Sequence, residues 1–189
     1  MIDYNEIKKE YPFTAELHAH TKPVSHCSEI EPDELIKLYS ERGCDTVVIT
    51  NHFKTANAKP VSKWLDGYYD TVKAAEGSGI NVILGVEISF QGDPNDYLIY
   101  GITEDDIYRY AEYTESNLKE FYKNQKSEKN IILQAHPFRN NMVLAPLDCI
   151  DGIEVFNMHP SHNSRVAYAC KYASENKLII SGGTDFHHF

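Results

Sequence analysis

Nine histidines in 189 residues is the unusual count in this chain. Most of them stand directly after short β-branched runs. His18 and His20 end AELHAH, and residues two apart in a strand point to one face, so both imidazoles can reach one ion. His52 follows TVVIT, Glu87 closes NVILGVE and His136 follows IILQA. Asp185 and His187 follow LIISGGT as a second i, i+2 pair. Asp96 opens DYLIYGI, and His26 lies in the loop after HAH. A single histidine is more often a surface or hydrogen-bonded core residue than a ligand, and a single carboxylate is more often a turn or surface residue. Scattered surface histidines, however, would not gather behind five separate strands. Imidazole and carboxylate are the donors that hold Zn²⁺, Mn²⁺ or Fe²⁺ in hydrolytic sites. The spacing therefore predicts a metal-dependent hydrolase.

The donor set exceeds what one four- to six-coordinate ion can use, so two or three divalent ions are expected. Three carboxylates facing three such ions leave a site charge of about +3, which attracts phosphate. Adjacent ions would activate a water and clamp the attacking and leaving oxygens of a displacement.

These donors need strands to carry them. Runs at 13–20, 46–50, 81–89, 97–102, 131–135, 153–156 and 178–181 read as strands. Helices are expected over 32–42, 60–76, 103–125 and 163–176; the first has Pro32 in its first turn and Gly43 as a stop, and Thr103 with Asp106 forms a capping box. The segment QGDPND is a turn that lets 97–102 pair with the preceding strand. Alternating elements with Val/Ile-rich strands imply an α/β fold with a parallel sheet, and the number of βα units favours a small barrel over an open sheet. In such barrels the site lies at the carboxyl ends of the strands, where these donors fall.

Composition narrows the class further. The chain length fits one domain, 1–189, with 42% hydrophobic residues and thirteen Tyr, which argues against disorder. No apolar run approaches the roughly 18–20 residues of a membrane span. MIDYNEIKKEYPF lacks a signal-peptide core, so a cytoplasmic protein is expected. A net charge of −10 makes extended binding to nucleic-acid backbone unexpected. Cys27, Cys44, Cys149 and Cys170 form no CxxC pair and read as reduced thiols, with Cys27 assigned to packing. GxGxxG and GxxxxGK[ST] are absent.

HAHTKPVSH, TNHF, GVEIS, QAHP and GGTDFH, in that order, resemble the motifs of the PHP (polymerase and histidinol phosphatase) domain family over 13–189. The resemblance implies a distorted (βα)₇-type barrel and a metal-dependent phosphoesterase with two or three ions, Zn, Mn or Fe. It implies that His18, His20, Glu87 and Asp185 hold a first ion. Glu87 would bridge to a second with His136 and Asp96, and His26, His52 and His187 would hold a third. Two departures stand out. Asn51 replaces the usual Asp of the second motif, and the chain ends two residues after His187, which leaves the barrel open or truncated at the C-terminus.

Arg139 in AHPFR is placed to form a two-pronged contact with a phosphate. His159 is placed to bind substrate or protonate a leaving group. His162 and His188 are weaker candidates, His188 being expected to point away from His187. The expected partner is a small phosphorylated substrate, a phosphomonoester or nucleotide. The rival readings are an amidohydrolase-type binuclear enzyme and a non-catalytic metal-binding module. The amidohydrolase reading lacks a lysine after a strand to carry a carbamate bridge, since Lys54 lies in a loop.

Overall fold

The computed structural model describes residues 4–188. After α1 (Tyr4–Glu10), which the periodicity did not announce, come β1 (Ala15–Ala19), α2 (Pro32–Glu41), β2 (Thr46–Ile49), β3 (His52–Phe53) and α3 (Val61–Ala74). β4 (Asn81–Leu84), β5 (Val86–Ser89) and β6 (Asp96–Tyr100) follow, then α4 (Glu104–Tyr110) and α5 (Leu118–Gln125). The chain continues through β7 (Ile131–Gln134), a 3₁₀ turn (Leu147–Cys149), β8 (Gly152–Asn157), α6 (Val166–Asn176) and β9 (Ile179–Gly183).

The strands form two sheets, β1-β2-β4 and β3-β5-β6-β7-β8-β9. β6 runs antiparallel to both β5 and β7, as the turn before it predicts; the other pairs are parallel. The expected strand over 81–89 is two strands. At the break the Gly85 amide donates to the Ile49 carbonyl at 2.9 Å, and a side chain there would fall 2.8 Å from Val48 Cγ1. This bond and the Glu87 amide on the Asn51 carbonyl (3.3 Å) join the two sheets, so the backbone switches sheet without losing its pairing. On the other side β9 approaches β1: Ala19 bridges Phe186, and the Asp185 amide donates to the His18 carbonyl at 2.8 Å.

The helix expected over 103–125 is also divided. Its capping box forms, with the Thr103 amide donating to Asp106 Oδ2 at 2.7 Å. The Thr114 carbonyl, however, accepts from the Gln91 amide (2.9 Å), and Asn117 accepts from the Glu120 amide (3.0 Å) to cap α5. A carbonyl drawn away and a strong N-cap restart the helix.

The larger core lies between the six-stranded sheet and α3–α6, with Phe53, Trp64, Tyr110 and Phe121 at its centre; a second packs α2 against β1 and β2 through Leu35, Ile36, Val47 and Ile49. Between these layers the strands' inward faces carry polar groups: Glu16, His18, Glu87 and Glu154 are all at most 5% exposed. Tyr100 crosses this space from β6 and donates to the Leu17 carbonyl at 2.9 Å. Among the described residues no helix is long and apolar enough to cross a membrane, and all four cysteines are free.

Candidate metal centre

Glu87, wholly buried on β5, is the hub. Its Oε1 lies 3.4 Å from His18 Nε2 and 3.1 Å from His136 Nε2; its Oε2 lies 3.4 Å from His20 Nε2 and 2.8 Å from His52 Nδ1. Asp185 Oδ1 faces the same rings, 3.3 Å from His18 Nε2, 3.1 Å from His20 Nε2 and 3.4 Å from His187 Nδ1. Asp96 accepts from Ser89 Oγ at 2.5 Å and turns Oδ2 to within 3.9 Å of His136. Eight of the nine expected donors thus converge. Three subsets have donor atoms within 4.8 Å of one another: His18, His20 and Asp185; His20, His52 and His187; His52, Glu87 and Asp96.

Proximity alone would fit a hydrogen-bonded cluster, but apart from the bond between His136 Nε2 and Glu87 Oε1 (3.1 Å) most of those bonds are missing. His18 Nε2, His20 Nε2, His52 Nδ1 and Glu87 Oε2 are buried and have no hydrogen-bond partner. Buried polar atoms are rarely left so, because each orphan costs about 1–3 kcal/mol. Atoms this close that do not bond one another are aimed at a common point, and the donor chemistry fits a divalent cation.

The far side of each ring explains the aim. Carboxylate and carbonyl oxygens only accept, so His18 Nδ1–H donates to Glu154 Oε1 (2.8 Å) and His187 Nδ1–H donates to the Asp185 carbonyl (2.8 Å). Ser25 Oγ donates its one hydrogen to Asn51 Oδ1 (2.9 Å) and accepts the His52 amide (3.0 Å), so its contact with His20 Nδ1 (3.3 Å) is donated by the ring. Each ring, when neutral, then presents a lone pair on Nε2. Asn51 also accepts the Thr21 amide at 2.8 Å, so it orients through Ser25 without carrying the charge of an aspartate.

Burial and charge pull the titrations apart. Burial lowers the His20 pKa to about 3, helped by His52. Burial also opposes charge on His18 and His52, yet Glu154, Asp185 and Glu87 raise His18 well above the ordinary value, and Glu87 raises His52 to about 10. Burial would raise Glu87 and Asp185; the histidines instead hold both well below the usual carboxylate range. Asp96, raised by burial and by Glu87, goes the other way.

Two of the expected donors are held in the left-handed region, His136 with φ 31° and Asp185 with φ 53°. The His136 amide donates to Glu154 Oε2 (3.0 Å).

His26 is the exception. It is exposed and lines a separate cleft of about 420 Å³ with Pro23, Lys63 and Trp64. The following residue reaches the cluster instead: Cys27, itself exposed as a residue, has Sγ 3.1 Å from His187 Nε2, a contact that the expected packing role does not include. Burial raises the Cys27 pKa, but contacts with His187 and His52 bring it down to about 6. The motif resemblance that assigned His26 could not anticipate this. The loop is tied down at Ser25 and Ser28, both buried, and by the Glu29 amide on the His187 carbonyl (2.8 Å), and these ties set Cys27 rather than His26 on the wall of the donor cavity.

The donors open onto a cavity of about 240 Å³ whose remaining wall includes Arg139, His159, His162 and His188. His188 therefore shares the cavity with His187, contrary to expectation. Arg139 binds Asp185 Oδ2 and Asn157 Oδ1 through Nη2, while its buried Nε has no partner. The Ser161 amide donates to His159 Nδ1 at 3.2 Å, which leaves Nε2–H free; burial and Arg139 lower its pKa to about 4. Larger open clefts lie elsewhere, but no group of donors lines them.

Sequence reasoning missed Glu154 and Glu16. Glu154 holds His18, the His136 amide and Asn157 Nδ2 together; Glu16 accepts the amides of His18 (2.7 Å) and Thr184 (3.0 Å). The available signal was a carboxylate inside a buried strand, at i−2 to His18 and in GIEVFN.

A family model for the PHP domain matches residues 16–184. The chain belongs to the PHP domain family. Among solved structures, a protein from Bifidobacterium adolescentis classed as a metal-dependent phosphoesterase is similar in fold, with a TM-score of 0.57 and 16% identity over 93% of this chain and 88% of that one. A two-domain protein from Bacteroides vulgatus, with a part classed as a PHP-like metal-dependent phosphoesterase, has a TM-score of 0.63 and 20% identity; the match covers 93% of this chain and 52% of that longer one. An amidohydrolase from Chromobacterium violaceum, with bound sulfate and no metal, has a TM-score of 0.60 and 15% identity over 92% and 87% of the two chains. No match is found among curated proteins. The PHP fold thus carries convergent imidazole and carboxylate donors able to hold metal ions.

Proposed function

We propose that this PHP domain hydrolyses a small phosphomonoester or nucleotide with water at a centre of two or three divalent ions. The observation that carries the reading is the convergence of unpartnered buried donors beside a cavity whose wall also carries the Arg139 guanidinium and the imidazoles of His159 and His162. His18, His20, Glu87 and Asp185 would hold a first ion, and His136 and Asp96 a second, with Glu87 facing both through its two oxygens. His52 and His187 would take a third. When bound, such ions supply a water of near-neutral pKa and a positive charge for phosphoryl oxygens.

The chain's own residues do the rest. Arg139 has Nε unspent and stands on the cavity wall, where a guanidinium binds phosphate oxygens well. Its bond to Asp185 Oδ2 turns Oδ1 toward His18 and His20. His159, neutral with Nε2–H outward, donates to a phosphoryl or leaving-group oxygen. A cavity of about 240 Å³ suits a phosphoryl group and a compact leaving group, not a polymer. A similar fold holding sulfate supports room for a tetrahedral dianion. We also infer that the β1–β9 contacts complete a distorted seven-stave barrel; slow amide exchange at Asp185 supports closure, and rapid exchange there opposes it.

The test is phosphate release from a panel of phosphomonoesters and one phosphodiester, with added Mn²⁺ or Zn²⁺ and with chelator. Metal-dependent release abolished by chelator is expected. Amine release from amides without phosphate release would overturn the reading in favour of the amidohydrolase. His136→Ala separates both from a non-catalytic module: turnover should fall far more than stability, whereas a module would lose stability and binding together.

A further inference from the structure

We propose that Cys27, not His26, is the sulfur ligand of an ion held with His52 and His187. The inference rests on the metal reading of the site and not on the identity of the substrate. Cys27 Sγ lies 3.1 Å from His187 Nε2, and His187 Nδ1 is already committed to the Asp185 carbonyl at 2.8 Å. The proton shared between Sγ and Nε2 is therefore the one that a cation displaces. The second observation lies beside the cysteine. His20, wholly buried, leaves Nε2 without a partner, and its donor lies within 4.8 Å of those of His52 and His187. The rings of His20 and His187 have centroids 4.4 Å apart, and those of His20 and His52 4.5 Å apart. His52 Nδ1 also lacks a hydrogen-bond partner.

Cys27, His52 and His187 are three protein donors on the wall of an open cavity, the ligand number of a catalytic site that keeps a position for water or substrate. Binding forms a metal–sulfur bond, and the displaced proton leaves to solvent. Thiolate is softer than imidazole or carboxylate, so this position selects Zn²⁺ or Fe²⁺ over Mn²⁺, while the carboxylate-rich positions around Glu87 and Asp96 discriminate less.

The experiment loads the full-length protein with Co²⁺ and reads the near-ultraviolet thiolate-to-cobalt charge-transfer band together with cobalt per chain. The band is expected in the unaltered protein and in His26→Ala, and is expected to vanish in Cys27→Ser with loss of one ion. Zn²⁺ affinity at that position should fall by more than the roughly 10–100-fold that loss of an outer-shell partner brings. A circular dichroism spectrum matching the parent keeps the Cys27→Ser result interpretable, and Cys27→Asp is the second variant: it should regain the ion without the band and shift preference toward Mn²⁺. No band at full cobalt loading, a band that survives Cys27→Ser, or loss of the ion in His26→Ala would overturn the proposal. Cobalt loading without phosphate release would sink the phosphoesterase reading and leave this one standing; no bound cobalt would sink this one.

Discussion

At the scale of single residues, ligand direction is set from behind. Glu154 touches no substrate and converges on no ion, yet it fixes the His18 ring and the His136 backbone together. Glu154→Gln keeps the shape and removes the charge; metal affinity should fall by about 10–100-fold with the fold intact. Competition against a chromophoric chelator measures this, and an unchanged constant would refute the orienting role. Protonation gives a second prediction at this scale. His18 and His52 are raised in the folded chain, so their contribution is full below the ordinary histidine value of 6.5 and is lost as pH rises, toward about 10 for His52. His20 is depressed to about 3, so from 6.5 downward the unfolded chain takes a proton that the folded chain refuses, and stability falls. Glu87 and Asp185, both depressed, add to the acid loss as pH drops through their folded values. The metal-free protein should therefore be most stable near pH 6.5 and decline on both sides. Thermal melts in chelator between pH 4 and 9 test this, and a flat alkaline limb would contradict it. Added Zn²⁺ should raise Tm most on the alkaline side, where fewer protons compete for the ring nitrogens.

At the scale of elements, the close approach of β9 to β1 holds the donors in register. A side chain on Gly183 would fall 2.4 Å from His18 Cβ and 2.9 Å from its amide nitrogen. Gly183→Ala should force β9 away from β1 at a cost of about 1–3 kcal/mol, which in a domain of this size lowers Tm by roughly 2–12 °C. Metal affinity should fall with it, because His18 sits on β1 and Asp185 follows β9 by two residues. Differential scanning calorimetry with a metal titration on the same variant reads both. Elements of this kind were legible in outline. TVVIT and IILQA announced buried strands, and the donors behind them announced the site. Two boundaries were not legible. The break at Gly85 comes from a partner strand's carbonyl, and the restart at Asn117 comes from a carbonyl drawn to Gln91; neither long-range bond has a periodic signature. Cys27 escaped notice for a similar reason, since loop ties far apart in sequence select it over His26. Glu154 was hidden because a carboxylate in a strand of apolar residues carries no motif.

At the scale of the whole molecule, an acidic chain of net charge −10 carries a centre that becomes positive when filled. Ion loading should therefore change stability as well as chemistry. At a free metal concentration of about 100 times Kd, one site adds about 2.7 kcal/mol, and chelation should remove that increment reversibly. A melt unmoved by chelator in protein shown to hold metal would contradict this coupling. The apolar layers need not take part, because Phe53, Trp64 and Phe121 are packed outside the ring of polar strand faces. The ring is the part of the fold that the ion completes.

His136 and Asp185 occupy backbone shapes that suit glycine, and each carries a donor that glycine lacks. Relief of a left-handed residue is worth about 1 kcal/mol or more. A chain selected for durability alone would drift toward His136→Gly or Asp185→Gly, and metal-free thermal melts should place either variant above its alanine counterpart. Imidazole and carboxylate at these two turns therefore exchange robustness for reactive donors, an exchange written into two dihedral angles.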